Sequence, residues 1–120
     1  MKPVLTVKTD PLKNRMSMKM SGSVTVVEAR QFRKRLVAQL ARLKPGFTLL
    51  NDTRDFKPTT SDVLQLVEGI MESVISAKPS KVARIVSSGS GLRLNKISSR
   101  PGYKTAAFLT PEEAVDFLDG

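Results

Sequence analysis

The 120-residue sequence contains no cysteine, no histidine and no tryptophan, and it has a single tyrosine. Without cysteine the chain can form neither disulfides nor thiolate metal sites, and a reducing cytoplasm is the simplest compartment for it. Without histidine it lacks the usual general base, the Ser-His triads and the ligand of nearly every zinc or iron site. We therefore expect a cytoplasmic protein that is not an enzyme and holds no metal or cofactor.

Long hydrophobic runs are also missing. No apolar stretch approaches the ~18 residues of a membrane span, and residues 1–8 lack the apolar core of a signal peptide. We expect residues 1–120 to form one domain that buries roughly two-thirds of the surface of its unfolded chain.

Acidic residues are scarce in the first half of the chain. Residues 1–60 carry 13 basic and 4 acidic side chains, whereas residues 61–120 carry 7 of each, so the net charge of +9 belongs to the first half. Such a half can attract nucleic acid, anionic lipid or an acidic protein surface, or it can simply keep the protein soluble. The basic cluster Arg30–Arg35 contains one aromatic residue, Phe32, which falls on the apolar stripe of a predicted helix. Because single-strand binding needs exposed aromatic side chains, we interpret the cluster as a solvated helix face and do not expect nucleic acid as the partner.

The first half of the chain predicts a hairpin and then a helix. Val4–Val7 is rich in β-branched residues, and Arg15–Ser21 alternates, with methionines pointing one way and Arg15, Ser17, Lys19 and Ser21 the other. We expect buried methionines, with Arg15 and Lys19 exposed on the opposite face. Thr25 and Glu28 match a capping box, after which apolar residues recur at helical spacing until about Lys44.

The remaining elements alternate between strand and helix. The strands are predicted at Phe47–Asn51, Val82–Val86 and Tyr103–Leu109, and the helices at Asp62–Ala77, at Leu92–Ser99 and after a second capping box at Thr110. The order ββαβαβαβα predicts an α/β fold with a mainly parallel open sheet. If the strands add sequentially, all helices pack on one face and leave the other face open.

Three stretches resemble a known family. Met18–Ala29 resembles a strand that ends at a glycine before an "x-T-x-x-E-A" helix, Leu49–Phe56 resembles "LLVDLRDF", and Phe108–Leu118 resembles a closing "F-x-x-x-E-E-A-x-x-W-L" helix. The family is the SpoIIAA-like branch of the STAS (anti-sigma-factor antagonist) superfamily, which consists of bacterial domains of about this length. The resemblance covers nearly the whole chain and implies βα units with helices packed on a sheet.

The polar segment between the central strand and the following helix contains the candidate site residues Asp52, Arg54, Thr60 and Ser61. Ligands of open α/β sheets bind at the carboxyl ends of strands, which is where this segment lies. Members that are true antagonists carry a phosphorylated serine at the start of this helix, in a pattern like Asp-Ser-Ser-Gly-Leu. Nine residues after Asp52 the sequence reaches Ser61, but Thr60 replaces the aspartate and Asp62-Val63 replaces Ser-Gly. We expect Thr60 or Ser61 to serve as the N-cap and Ser61 to stay unphosphorylated.

Two further stretches have both a chemical and a structural interpretation. Asp52 and Asp55 could act as an acid pair, but without histidine or a third carboxylate a turn stabilised by its own hydrogen bonds is the better interpretation. Ser87–Gly91, between a strand and a helix, suggests a phosphate-binding loop but lacks the glycine spacing of such loops. We interpret it as a flexible turn.

Three functions remain open at the level of sequence. The first is a regulatory module that binds a protein partner through the Asp52–Ser61 turn and the second helix. The second is a carrier or sensor of a lipid-like or anionic ligand, because STAS-like domains resemble the lipid-carrying CRAL-TRIO fold in topology and methionines can line a pliable pocket. The third is nucleic-acid binding by the basic half. The oligomeric state stays open, a homodimer included.

Overall fold

A computed structural model of the chain describes residues 3–88 and 94–120. The strands are β1 (Val4–Asp10), β2 (Arg15–Val24), β3 (Thr48–Asp52), β4 (Phe56–Pro58), β5 (Lys81–Ile85), β6 (Ser98–Arg100) and β7 (Tyr103–Phe108). The helices are α1 (Val26–Leu40), α2 (Ser61–Ser76) and α3 (Pro111–Asp119). None of these described helices combines the length and the apolar composition that crossing a membrane requires.

The sheet is mixed and mostly parallel. Its strand order is β1-β2-β3-β5-β7-β6, and the short strand β4 pairs with the far end of β2. The central pairs β2–β3, β3–β5 and β5–β7 are parallel, whereas the outer pairs β1–β2 and β6–β7 are antiparallel. The predicted open, mainly parallel sheet is confirmed.

The predicted register of the methionine strand is also confirmed. β1 pairs with β2 so that Val7 lies opposite Met18 and Leu5 opposite Met20. Met16, Met18 and Met20 are at most 3% exposed and belong to the main core cluster. Alternation along a strand sends successive side chains to opposite faces, so one row of methionines fixes which face of β2 is buried.

Helices α1 and α2 cover the methionine side of the sheet. α1 begins with a complete capping box, in which Glu28 donates its backbone N–H to Thr25 Oγ1 (3.3 Å) and Thr25 donates its own to Glu28 Oε1 (3.0 Å). Phe32, Leu36, Ile70 and Val74 of the two helices pack on the methionines. Both helices connect neighbouring parallel strands in the same direction, and right-handed crossovers then place them on one face.

The prediction that all helices share one face is wrong, because α3 packs on the opposite side. Its residues Ala114 and Leu118 form a second core cluster with residues of β5 and β7 on that side, namely Ala83, Ile85, Ala106 and Phe108. α3 follows the last strand and does not connect two parallel strands, so the crossover rule leaves its side free. The apolar strip formed by alternate residues of β5 and β7 determines where it packs.

The prediction that Arg15 is exposed is wrong for the same reason. Arg15 is only 9% exposed, since it lies on the side that α3 covers. Its Nε donates to Thr48 Oγ1 at 2.9 Å, and its Nη2 pairs with Asp119 Oδ1 at 2.6 Å. Lys19, which lies nearer the other end of β2, is exposed as predicted.

The order ββαβαβαβα needs two further corrections. The described part of the predicted helix Leu92–Ser99 is not helical: Leu94 bridges to Ala107, and Ser98 and Ser99 belong to β6. Residues 92 and 93, like Gly89–Gly91 of the serine-glycine link, lie outside the described residues. β6 and β7 form a hairpin around Pro101 and Gly102, where Gly102 has a φ of 90°. The segment after β3, predicted as one turn, contains the strand β4.

Candidate functional site

The segment from Asp52 to Ser61 begins with an ion pair at the end of β3. Arg54 donates from Nη2 to Asp52 Oδ2 (2.8 Å) and from Nε to Asp52 Oδ1 (3.1 Å), and its backbone N–H donates to the same Oδ1 (3.2 Å). The Asp52 side chain is 13% exposed and that of Arg54 37%. The predicted turn, stabilised by its own hydrogen bonds, is confirmed. It places two charges in fixed positions at the carboxyl edge of the sheet.

Each member of this pair shifts the pKa of the other. Burial alone would raise the pKa of the Asp52 carboxyl, but the hydrogen bonds and positive charge of Arg54, helped by Lys19, outweigh burial and lower it. The hydrogen bond to Asp52 likewise raises the pKa of Arg54. Asp52 is therefore ionised at neutral pH and is unsuited to general acid–base catalysis, which needs a pKa near the working pH.

Strand β4 holds the middle of the segment against β2. The N–H of Gly22 donates to the carbonyl of Asp55 at 2.7 Å, and Thr59 Oγ1 donates to the carbonyl of Val24 at 2.9 Å. Gly22 has a φ of 79°, a conformation that glycine adopts without strain. These contacts make the segment a braced part of the structure, where the sequence predicted only a turn.

The segment ends in the cap of α2. Thr60 is the N-cap, and its Oγ1 accepts a hydrogen bond from the backbone N–H of Val63 at 3.3 Å. Ser61, the first helical residue, is exposed, and Asp62 lies in the first turn. The predicted N-cap is confirmed. Thr60 and Ser61 lie beyond β4, so the contacts that hold Thr60 are separate from the Asp52–Arg54 pair.

The serine-glycine link contributes one contact that sequence reasoning missed. Ser87 Oγ donates to the carbonyl of Arg54 at 3.2 Å, so the link after β5 is tied to the turn after β3. The carboxyl ends of adjacent parallel strands meet at one edge of the sheet. The contact between the two links could therefore have been predicted from the expectation that their strands are neighbours. Within residues 3–88 and 94–120, no group of three or more acidic residues is placed to hold a metal ion.

A groove lies between α2 and the sheet. It has a volume of about 780 Å³. Its walls include Val67, Met71 and Ile75 of α2 and Val82, Arg84 and Tyr103 of β5 and β7. The apolar stripe of α2 includes residues beyond those that are fully buried in the core. These additional apolar residues were the indication in the sequence that part of the stripe could line a groove.

The basic cluster on α1 lies along a second groove, between α1 and α2. Arg30, Arg33, Lys34 and Val37 line this groove with Leu66 of α2. Phe32 is fully buried, as predicted, and the guanidinium of Arg35 lies 5.6 Å from the centre of its ring. The cluster therefore offers no aromatic platform for a base to stack on.

The comparisons with known proteins identify the fold. No protein-family model matches the chain, and no curated protein matches it. Among solved structures, the fold is that of SpoIIAA, an α/β fold of the STAS type. The phosphorylated form of SpoIIAA, the Bacillus cell fate determinant, aligns with a TM-score of 0.54 and 14% identity over 96% of this chain and 99% of that chain. The unphosphorylated form of this anti-sigma factor antagonist aligns with a TM-score of 0.56 and 16% identity over 98% and 97%.

Proposed function

We propose that the protein is a non-enzymatic regulatory module of the cytoplasm that binds a partner protein through the Asp52–Ser61 segment and the start of α2. The observation that carries this proposal is the bracing of the segment. The Asp52–Arg54 pair fixes one end, β4 fixes the middle and the Thr60 cap fixes the other end. A surface that is ordered before binding loses less conformational entropy in a complex.

The chemistry of the segment supports binding rather than catalysis. Asp52 is engaged by Arg54 and its pKa is lowered, while the exposed residues around it include Asp55, Lys57 and Ser61. Polar groups at the edge of an interface select partners through complementary charge. The similar fold of SpoIIAA, an anti-sigma factor antagonist, adds weight to a regulatory role.

We propose further that binding does not use phosphorylation of Ser61. The helix N-terminus would tolerate a phosphate, but the adjacent Asp62 carries a like charge at short range. Intact-mass analysis of the protein from its native cell should find no species heavier by one phosphate at Ser61. A substantial phosphorylated fraction mapped to Ser61 would overturn this proposal.

The binding proposal can be tested by capturing partners with the intact protein and with variants of the segment. Asp52→Ala and Arg54→Ala should each reduce the amount of captured partner, whereas Ser61→Asp should leave it nearly unchanged. Arg42→Ala is the matched control, because Arg42 is exposed and lies outside the segment. Equal capture by wild type and Arg54→Ala would contradict the proposed surface.

The groove between α2 and the sheet favours a second candidate, the carrier of an amphipathic ligand. Its size suits a small ligand, and apolar contacts from Met71 and Tyr103 lie beside charged groups of both signs, namely Arg84, Glu68 and Glu72. Native mass spectrometry of the purified protein should then show a bound small molecule. Ile75→Trp, which fills the groove, should lower the bound fraction, while Ser61→Asp should not. If the purified protein carries no bound species, the carrier function is contradicted and partner binding is the one proposed function.

A further inference from the structure

A small cavity with basic walls lies on β5, β6 and β7. It has a volume of about 180 Å³, and we call it the basic pocket. Its lining includes three cationic and two hydroxyl side chains, namely Arg84, Lys96, Arg100, Ser98 and Thr105. Among the described residues, no acidic side chain lines it. A concave site that concentrates positive charge attracts anions.

The register of the sheet brings these side chains to one face. Thr105 and Ala107 are alternate residues of β7 and therefore share a face. Thr105 lies opposite Ser98 of β6, and Ala107 lies opposite Arg84 of β5. Thr105 and Ala107 are 9% and 7% exposed, whereas the three cationic residues of the pocket are exposed. The basic pocket therefore has a floor of small side chains and a rim of long cationic ones.

The basic pocket adjoins the groove between α2 and the sheet. Arg84 lines both cavities. Tyr103 of the groove lies opposite Arg100 of the pocket, and Val82 of the groove lies opposite Thr105 of the pocket. Neighbouring strands are only about 4.8 Å apart. One ligand can therefore occupy both cavities, with an apolar part in the groove and a charged end in the basic pocket.

The charges along the two cavities determine the orientation of such a ligand. Glu68 and Glu72 of α2 line the groove, and both are exposed. Neither ion pair of the described residues involves these glutamates or the three cations of the basic pocket. An anionic group beside α2 would be repelled, whereas the same group in the basic pocket would be attracted. The negative end of a ligand therefore points away from α2.

We propose that the protein binds a phosphate monoester of an apolar chain, with the chain in the groove and the phosphate in the basic pocket. A phosphate monoester carries up to about two negative charges and three acceptor oxygens, which match the cations and hydroxyl donors of the pocket. Arg84 and Arg100 can each present paired N–H donors to a phosphate. The groove volume of about 780 Å³ is that of a small-molecule site. This inference rests on the carrier function proposed above and adds the head group and its location.

Other anions fit the two cavities less well. A carboxylate offers one charge and two oxygens, so it would use fewer of the donors in the basic pocket. A nucleic acid could place a phosphate on the rim, but its neighbouring phosphates would approach Glu68 and Glu72 beside the groove. Single strands also need exposed aromatic rings, and Tyr103 is half-buried. The observations therefore favour a small amphipathic phosphate over a macromolecule.

Isothermal titration calorimetry with amphiphiles that share one chain and differ in head group tests the proposal. The probes are dodecyl phosphate, dodecyl maltoside and dodecyltrimethylammonium, each below its critical micelle concentration, together with inorganic phosphate. The full chain is first stripped of co-purified ligand on a hydrophobic resin. Dodecyl phosphate should bind at least about tenfold more tightly than each of the other probes, or ~1.4 kcal/mol.

Substitutions separate the contributions of the two cavities. Arg84→Gln and Arg100→Gln remove a charge from the rim of the basic pocket, so each should weaken dodecyl phosphate about tenfold and leave dodecyl maltoside unchanged. Ile75→Trp fills the groove and should weaken all three amphiphiles but not inorganic phosphate. Lys8→Gln removes the same charge from β1, at the opposite edge of the sheet, and should bind like wild type. Circular dichroism checks folding; if Arg84→Gln unfolds, Arg100→Gln on the edge strand β6 provides the same test.

Different results would overturn different proposals. Failure of all three amphiphiles to bind would contradict both the carrier function and the phosphate site. Equal affinity for the three head groups, or dodecyl phosphate binding that both arginine variants retain, would leave the carrier function standing and overturn the phosphate site. Inorganic phosphate that binds as tightly as dodecyl phosphate would overturn the use of the groove. A single-stranded oligonucleotide that binds more tightly than dodecyl phosphate and loses this affinity in Arg84→Gln would assign the basic pocket to nucleic acid instead.

Discussion

Replacing Asp52 by asparagine tests the ion pair that anchors the candidate site. The substitution keeps the shape and one acceptor oxygen but removes the charge that Arg54 neutralises. Hydrogen bonds to charged groups contribute ~1.5–3 kcal/mol, whereas exposed ion pairs contribute ~0.2–1 kcal/mol. Arg54 is 37% exposed and Asp52 13%, so solvent screens the pair in part. We expect a loss of about 1 kcal/mol at pH 7, or roughly 4 °C in melting temperature.

The lowered pKa of Asp52 determines how the stability loss caused by Asp52→Asn depends on pH. The pKa of Asp52 is lower in the folded protein than its unfolded value of about 3.9. The carboxylate therefore contributes stability above about pH 4, and that contribution is lost as the pH falls through the folded pKa. The difference between wild type and Asp52→Asn should be full at pH 7 and shrink below about pH 4.

Urea unfolding followed by circular dichroism at neutral and acidic pH measures this difference. Asp55→Asn is the matched control, because Asp55 is exposed and contributes its backbone carbonyl, not its carboxylate, to the contact with Gly22. The control should change stability by less than about 0.5 kcal/mol. A loss for Asp52→Asn that is equal at both pH values would refute the reasoning, as would an equal loss for the control.

Five other substitutions probe the fold by the same denaturation measurement. Thr25→Ala and Thr110→Ala should each cost about 1 kcal/mol by removing an N-cap acceptor, with the larger effect at Thr25, which starts the longer helix; unchanged midpoints would argue against the caps. Leu36→Ala, in the fully buried core, should cost about 2–5 kcal/mol, whereas Val27→Ala on the exposed side of the same helix should cost far less. Asn51→Leu should be neutral or stabilising, because Asn51 Oδ1 is buried without a hydrogen-bond partner among the described residues; a large loss would show that the amide has a stabilising partner.

The elements that local patterns define were predictable. The alternation of methionines in β2 identified its buried face, and the threonines at positions 25, 60 and 110 marked the starts of α1, α2 and α3. Both signals depend on neighbours within one strand or one turn, which a sequence displays directly.

The features that depend on tertiary placement were not predictable. Arg15 has the local pattern of an exposed residue, and its burial follows from a helix that begins 96 residues later in the chain. The strands β4 and β6 have three residues each, which is too short for an alternation to be recognised. They form because β2 and β7 offer free edges for pairing.

The candidate site likewise contains features that were predictable from sequence and features that were not. The turn after the central strand was predicted from sequence, whereas the ion pair between Asp52 and Arg54 within it was not. The contact from Ser87 and the groove beside α2 depend on which strands are neighbours in the sheet.

The position of α3 has a consequence for how the protein is made. The N-terminal parts of a chain can fold first, so β2, β3, β5 and β7 can associate before residues 111–119 dock on the sheet. Until that helix arrives, Leu50, Ala83, Ile85, Ala106 and Phe108 remain on an uncovered side of the sheet. A released chain that is truncated before Pro111 should therefore be prone to aggregation and should recruit chaperones. The docking of nine residues, secured by Arg15 on Asp119 and by Lys81 on the carbonyls of Phe117 and Gly120, completes the protection of this side.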